Sequence, residues 1–286
     1  MVHRPVALRL LSLALCVSIG FSINVAWADE ESREIFATIS KARDMAHEDN
    51  FKGAERTFKT IGQKKADDLS IEYKQKFRDK LDELAGLFLK KKLYTEAEGL
   101  YSSRLEEKKE DYTSDEARFL ANIALVNLEA GKEAEALAFN AEALKIALNE
   151  SGPDNIEAAK VGKKMSEKLL AEGHKKEALE ETLSVCENIL RRQEKVNYKP
   201  YMVSVQKTIR GNWNPPKSES SQHVKLRFKI FSDGSVSRLK VLESGGRGDS
   251  DTAAIAAVEK STPFPVLPKY APHNVDIEFS LDYNVH

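Results

Sequence analysis

The stretch KLRFKIFSDGSVSRLKV, residues 225–241, decides how this chain divides. Leu226, Phe228 and Ile230 alternate with Lys225, Arg227 and Lys229, a period of two that gives a strand one apolar and one basic face. Asp233-Gly234 then supplies the positive φ angles of a tight hairpin. Alternation resumes with Leu239 and Val241 against Arg238 and Lys240. Up to about residue 195 the chain is of another kind, rich in Ala, Leu, Glu and Lys at helical spacing.

Downstream of the hairpin, the Gly-rich loop SGGRGDS leads into the helix DTAAIAAVEK, which STPFPVLP ends. The last strand is NVDIEFSLDYNV, with Val275, Ile277, Phe279, Leu281 and Tyr283 alternating with Asp276, Glu278, Ser280 and Asp282. Upstream, Pro200 opens the helical pattern YMVSVQKTIRGNW, which Gly211 and Pro215-Pro216 terminate. The module therefore reads α-β-β-α-β. The helical crossover makes the second and third strands parallel, so in an antiparallel sheet the first must lie between them. Charge agrees, because that order sets basic Lys225, Arg227 and Lys229 beside acidic Asp276, Glu278 and Asp282. The third strand is then an edge.

Trp213-Asn214-Pro215-Pro216, the Asp233-Gly234 hairpin, Ser244-Gly245, the Ala-rich helix and Pro263-Phe264-Pro265 together resemble the C-terminal domain of TonB and TolA proteins. The resemblance covers about residues 200–286. It implies a periplasmic module that binds protein partners, in TonB by adding a partner's strand to the last strand of the sheet. Carried onto this chain, the partner-binding edge is the last strand, with Val275, Ile277, Phe279, Ser280, Leu281 and Tyr283 as its residues.

The helical part repeats itself. FKGAERTF at residues 51–58, YTEAEGLY at 94–101, EAEALAFN at 133–140 and HKKEALEE at 174–181 share an alanine inside an acidic, apolar helix start. Those alanines, Ala54, Ala97, Ala136 and Ala178, are spaced 43, 39 and 42 residues apart. A period near forty signals stacked helical hairpins, none able to bury its apolar face alone. In the second unit Leu81, Leu84, Ala85 and Phe88 form one stripe, and Ala97, Tyr101 and Leu105 the opposing one. This resembles the tetratricopeptide repeat, with Leu84-Ala85, Phe88, Ala97 and Tyr101 at the family's marker positions. The third unit has Asn127 and Asn140 where aromatics are usual, and Ser151-Gly152-Pro153-Asp154-Asn155 breaks the helix between units. The resemblance implies a concave surface for a protein or peptide.

The N-terminus joins Arg4 and Arg9 to the apolar run LLSLALCVSIGFSINVAW, then Ala26-Trp27-Ala28 and Asp29-Glu30-Glu31. Basic region, apolar region and A-x-A site describe a secretory signal peptide cleaved after Ala28. An uncleaved membrane anchor is the alternative, because the run is nearly long enough to span a bilayer. Leu15 and the apolar residues beyond Cys16 do not fit a lipoprotein signal. The expected organisation is a signal peptide or anchor at 1–28, an all-α tetratricopeptide-type solenoid at 29–195, and a small α+β TonB/TolA-like domain at 196–286.

At 286 residues, with 31% charged side chains and a formal net charge of −1, the chain lacks the strongly basic balance that nucleic-acid binding wants. Cys186 is the one cysteine beyond the signal region, and its apolar helical position predicts burial rather than reactivity. Ser237-Arg238-Leu239-Lys240 spells S-x-x-K, but on a strand and without partner motifs. Gly245-Gly246-Arg247-Gly248 precedes a helix, and a plain turn explains it better than a phosphate cradle. Neither His47, His174, His223, His273 nor His286 has metal-ligand spacing. No cofactor is expected. The expected function is a non-enzymatic scaffold of the cell envelope, exported across the inner membrane, whose repeats and C-terminal module each engage a protein partner. Its alternative is an inner-membrane-anchored, TonB-like energy transducer for outer-membrane transport.

Overall fold

A computed structural model describes residues 25–62, 69, 71–105, 113–214, 222–246 and 248–283. Its helices are α1 (Val25–His47), α2 (Phe51–Lys59), α3 (Ile71–Lys90), α4 (Tyr94–Ser102), α5 (Ser114–Glu129), α6 (Glu133–Glu150), α7 (Ile156–Ala171), α8 (Lys175–Glu194) and α9 (Lys199–Asn212). There follow β1 (Gln222–Phe231), β2 (Val236–Glu243), α10 (Gly248–Lys260) and β3 (Asn274–Tyr283). Helix α1 runs through the expected cleavage site, and residues 1–24 lie outside the described part. Among the described residues no helix is long and apolar enough to cross a membrane.

The first eight helices form antiparallel pairs, each closed by the same turn. Asp49, Lys92, Gly131 and Gly173 take left-handed φ angles of 60°, 60°, 77° and 85°. The next residue in each turn, Asn50, Leu93, Lys132 or His174, sends its N–H back to the carbonyl of Met45, Phe88, Asn127 or Leu169. Its own carbonyl accepts the N–H of Ala54, Ala97, Ala136 or Ala178, at 3.0 Å in every case. A left-handed residue after a helix lets the chain reverse while the last carbonyls stay satisfied. The four alanines thus fall at the same place in each second helix, and all are fully buried. A larger side chain there would push the paired helices apart.

Aromatics fill the space around the second pair: Phe51 meets Phe88 edge-on, and Tyr101 is buried with its hydroxyl on Asp82 at 2.9 Å. Around the third and fourth pairs a polar chain replaces them. Asn140 donates to Ser166, Ser166 to the Ala178 carbonyl, and Thr182 to Ser166. The fourth pair also departs from simple stacking, since α8 lies across α5 and its end reaches α3. Arg118 on α5 bridges Asp82 on α3 and Glu187 on α8, while Arg78 on α3 joins Asp115 and Glu194. Part of the face that α3 and α5 would offer a ligand is therefore occupied by α8. A cleft of about 130 Å³ lies between α3 and α8, with Arg78, Arg118, Glu187 and Glu194 in its lining. Cys186 packs in this region, and burial pushes its thiol up to about 12.

The C-terminal part has its own core. The sheet order is β2-β1-β3, as the connection rules require, and all pairings are antiparallel. Helices α9 and α10 bring Val205, Ile209, Ala254, Ala257 and Val258 to a cluster with Val224, Leu226, Phe228, Ile230, Val275, Ile277, Phe279 and Leu281. The hairpin differs from the sequence reading, because only Gly234 has a positive φ, at 85°. Gly234 donates to the Phe231 carbonyl and Phe231 to that of Ser235, which makes a three-residue loop with a left-handed third residue. Gly234 is doubly required, since a Cβ would stand 1.9 Å from the Phe264 carbonyl oxygen.

Candidate partner-binding edge

β3 pairs with β1 without a break over ten residue pairs, from Gln222 opposite Tyr283 to Phe231 opposite Asn274. Its odd-numbered side chains Val275, Ile277, Phe279 and Leu281 are buried, at most 3% exposed, and anchor the strand in the core. Its other face is ionic. Arg227 hydrogen-bonds Glu278 directly opposite, Lys229 reaches Asp276 at 3.2 Å, and Lys225 reaches Glu278 at 3.2 Å. Asp282 pairs with His223 rather than with a lysine. Cross-strand pairs of this kind contribute about 0.2–1 kcal/mol each.

Which backbone groups of β3 face outward follows from one bond just past its end. The Ser232 N–H donates to the His273 carbonyl at 2.8 Å, and these two residues are directly opposite one another. In an antiparallel ladder, opposite residues that bond each other directly alternate with opposite residues that do not, so this single bond fixes the parity along β3. Val275, Ile277, Phe279 and Leu281 therefore spend both backbone groups on β1. Glu278, Ser280 and Asp282 direct their N–H and C=O groups away from the sheet, where among the described residues no further strand lies.

The other edge is built differently. β2 meets β1 with two register breaks, between Lys225 and Leu226 and between Arg227 and Lys229. Arg238 stands at the second with φ 54°, and Leu242 is the extra residue at the first. The even alternation expected for this strand is thus interrupted, and Val236, Leu239 and Val241 are only half-buried. Bulges twist an edge and spoil the spacing a second strand needs.

Of the sequence-expected edge residues, only Ser280 presents its backbone outward. Val275, Ile277, Phe279 and Leu281 are core residues bonded to β1, and Tyr283 ends the strand. Asp276, Glu278 and Asp282 share the outward parity of Ser280, which side-chain alternation does not reveal, because it identifies the buried face but not which residues bond to the neighbour. Ser237 and Lys240 of the S-x-x-K match lie on β2. Ahead of α10, the Gly245 N–H and Ser244 Oγ both donate to Asp251 of that helix, at 2.9 and 2.6 Å. His223 and His273 stand at opposite ends of the sheet.

At the Asn274 end, the sheet meets the helical pairs. The Tyr270 N–H donates to Asp154, Asn155 donates to the Tyr270 carbonyl, and the His273 N–H donates to the Glu150 carbonyl. The helix-breaking segment 151–155 is thus also the docking point of the C-terminal part.

Residues 198–280 match the family model described as TonB C terminal, less than a third of the chain. Among solved structures, the NMR solution structure of Helicobacter pylori TonB-CTD (residues 179-285) is similar: 20% identical, covering 34% of this chain and 91% of that one, with a TM-score of 0.28. No curated protein matches the chain.

Proposed function

We propose that this protein is a non-enzymatic scaffold of the bacterial cell envelope whose β3 edge takes up an extended segment of a protein partner. The observation that carries this reading is the contrast between the two edges. β3 offers regularly spaced outward groups at Glu278, Ser280 and Asp282, whereas β2 is bulged twice. Strand addition draws its affinity from such a backbone ladder. The TonB C terminal match over residues 198–280 supports both the envelope setting and a protein partner.

The helical pairs act in this reading as a tetratricopeptide-type array holding a second partner. The fourfold turn and its buried alanines support that. Because α8 lies across α5, the second partner uses the surfaces that α8 leaves uncovered. The N-terminal segment exports the chain and is removed. A mature protein beginning at Asp29 by mass spectrometry fits this, and an intact N-terminus would favour the anchored transducer.

Proline tests the edge directly, since it removes one N–H. Ser280→Pro deletes an outward group and leaves the ladder to β1 intact, so partner capture should fall while the fold persists. The matched control is Leu242→Pro, at a bulge of β2, which should retain capture. Arg238 cannot serve, because proline cannot adopt its φ of 54°. Capture lost with Leu242→Pro and kept with Ser280→Pro, both folded by circular dichroism, would move the site to β2.

A further inference from the structure

We propose that the segment pairing with β3 is a basic strand, with Lys or Arg at every second residue and apolar residues between them. The inference deepens the reading of β3 as the accepting edge and rests on it. Backbone pairing gives a strand its affinity, and the side chains beside the edge decide which strand is taken.

The even-numbered residues of β3 turn their backbone groups outward and carry their side chains on the sheet face away from the helices. From 276 to 282 these are Asp276, Glu278, Ser280 and Asp282, an acidic row broken by one serine. On its inner side the row already meets a basic strand, since Arg227 stands opposite Glu278 and Lys229 opposite Asp276. The Asp276 and Asp282 side chains nevertheless remain 46% and 53% exposed. A carboxylate has about four acceptor positions, so an ion pair with β1 leaves it able to take a second cation. A strand added about 4.8 Å beyond β3 brings its own side chains directly opposite the same residues, whichever way it runs. Acidic side chains there would set like charge against like charge, whereas lysines or arginines make a second row of cross-strand pairs.

The same row opposes a second copy of β3 as the occupant. Outward groups meet only where even-numbered residues pair with even-numbered ones. In every antiparallel register that overlaps most of both strands, a carboxylate of one copy then falls opposite a carboxylate of the other. The β2 edge has the opposite character, because Arg238 and Lys240 are exposed there. A strand on that edge would be selected for acidic residues, so charge preference also reports which edge is in use.

The test uses the full chain and three synthetic peptides of about ten residues, the length of β3, with Val at alternate positions. Between the valines one peptide carries lysines, the second threonines and the third glutamates. Fluorescence anisotropy at low salt should show the lysine peptide binding about tenfold more tightly than the threonine peptide, with the gap closing as salt rises. The glutamate peptide should bind more weakly than either. Asp276→Asn combined with Asp282→Asn should shrink the lysine advantage and leave the threonine peptide unchanged, and Ser280→Pro should weaken all three. Equal affinities, with Ser280→Pro still weakening them, would overturn the inference and leave the edge standing. A lysine preference that survives Ser280→Pro or the two asparagines would be general attraction to an acidic surface and also overturn it. A glutamate preference would put the strand on β2, and a dimer of the chain that Ser280→Pro dissolves would put a second copy on β3; either overturns the inference. No effect of Ser280→Pro on any peptide would remove the edge reading itself. Fusing each peptide behind residue 286 through a Gly-Ser linker raises its effective concentration to about millimolar. The same comparison then reads out as a difference in Tm, so weak free binding still gives an answer.

Discussion

Gly152 stands directly against Ala271: a Cβ at 152 would lie 2.1 Å from the Ala271 carbonyl oxygen and 3.2 Å from that of Pro272. The contact joins the α6–α7 linker to the loop before β3, so one missing methyl group lets the two parts of the molecule dock. Gly152→Ala should force the backbones apart and weaken the seam by about 1–3 kcal/mol, the usual cost of overpacking. Neither core should unfold. Hydrogen exchange at His273 and Tyr270 should speed up, and slow exchange there in the variant would show that the seam tolerates the methyl group.

Residues 196–286 alone should fold, since Val205, Ile209 and the apolar face of the sheet close one core without the helical pairs. About 90 residues is within the range of independent domains. A cooperative thermal melt with a near-UV circular dichroism signal is expected. A broad melt without that signal would make the seam a requirement for folding.

Lys92 and Gly131 occupy the same turn position, with φ of 60° and 77°. A side chain in the left-handed region costs about 1 kcal/mol, and glycine avoids it. Lys92→Gly should therefore raise the stability of the helical part by about that much, and Gly131→Lys should lower it similarly. Urea denaturation followed at 222 nm distinguishes the two directions.

Gly234→Ala should be far more damaging. It combines a positive φ with a Cβ driven onto the Phe264 carbonyl, which itself belongs to a segment hydrogen-bonded to Gly234. A loss of more than about 2 kcal/mol is expected, confined to the C-terminal transition. A loss below that would mean that the loop carrying Phe264 moves aside easily.

Glu278 gives the sheet a pH dependence. Desolvation would raise its carboxyl, but hydrogen bonds from Arg227 and Lys225 outweigh it and hold the group below its ordinary value. The unfolded chain therefore binds a proton more readily than the folded one. This contribution is complete above the ordinary glutamate pKa of about 4.3 and disappears as pH falls through the lower folded value. Glu278→Gln should flatten that part of the stability profile. Parallel wild-type and variant profiles below pH 5 would show that the pair stabilises nothing.

The sequence alone determined a good deal. Period-two alternation announced β1 and β3, and the parallel crossover forced β1 into the middle of the sheet. The spacing of Ala54, Ala97, Ala136 and Ala178 returns as four identical turns. These features are local or follow from chain connectivity, so residues close in sequence carry them. Ladder parity at Ser280, the bulges at Arg238 and Leu242, and the passage of α8 across α5 were decided elsewhere. Each depends on which strand or helix lies alongside, and hydrogen-bond pairing and close packing between distant segments leave no period in the chain. Gly152 shows the difference most clearly: in sequence it reads as a helix-breaking turn, while in the folded protein the absence of its side chain makes room for the carbonyl of Ala271.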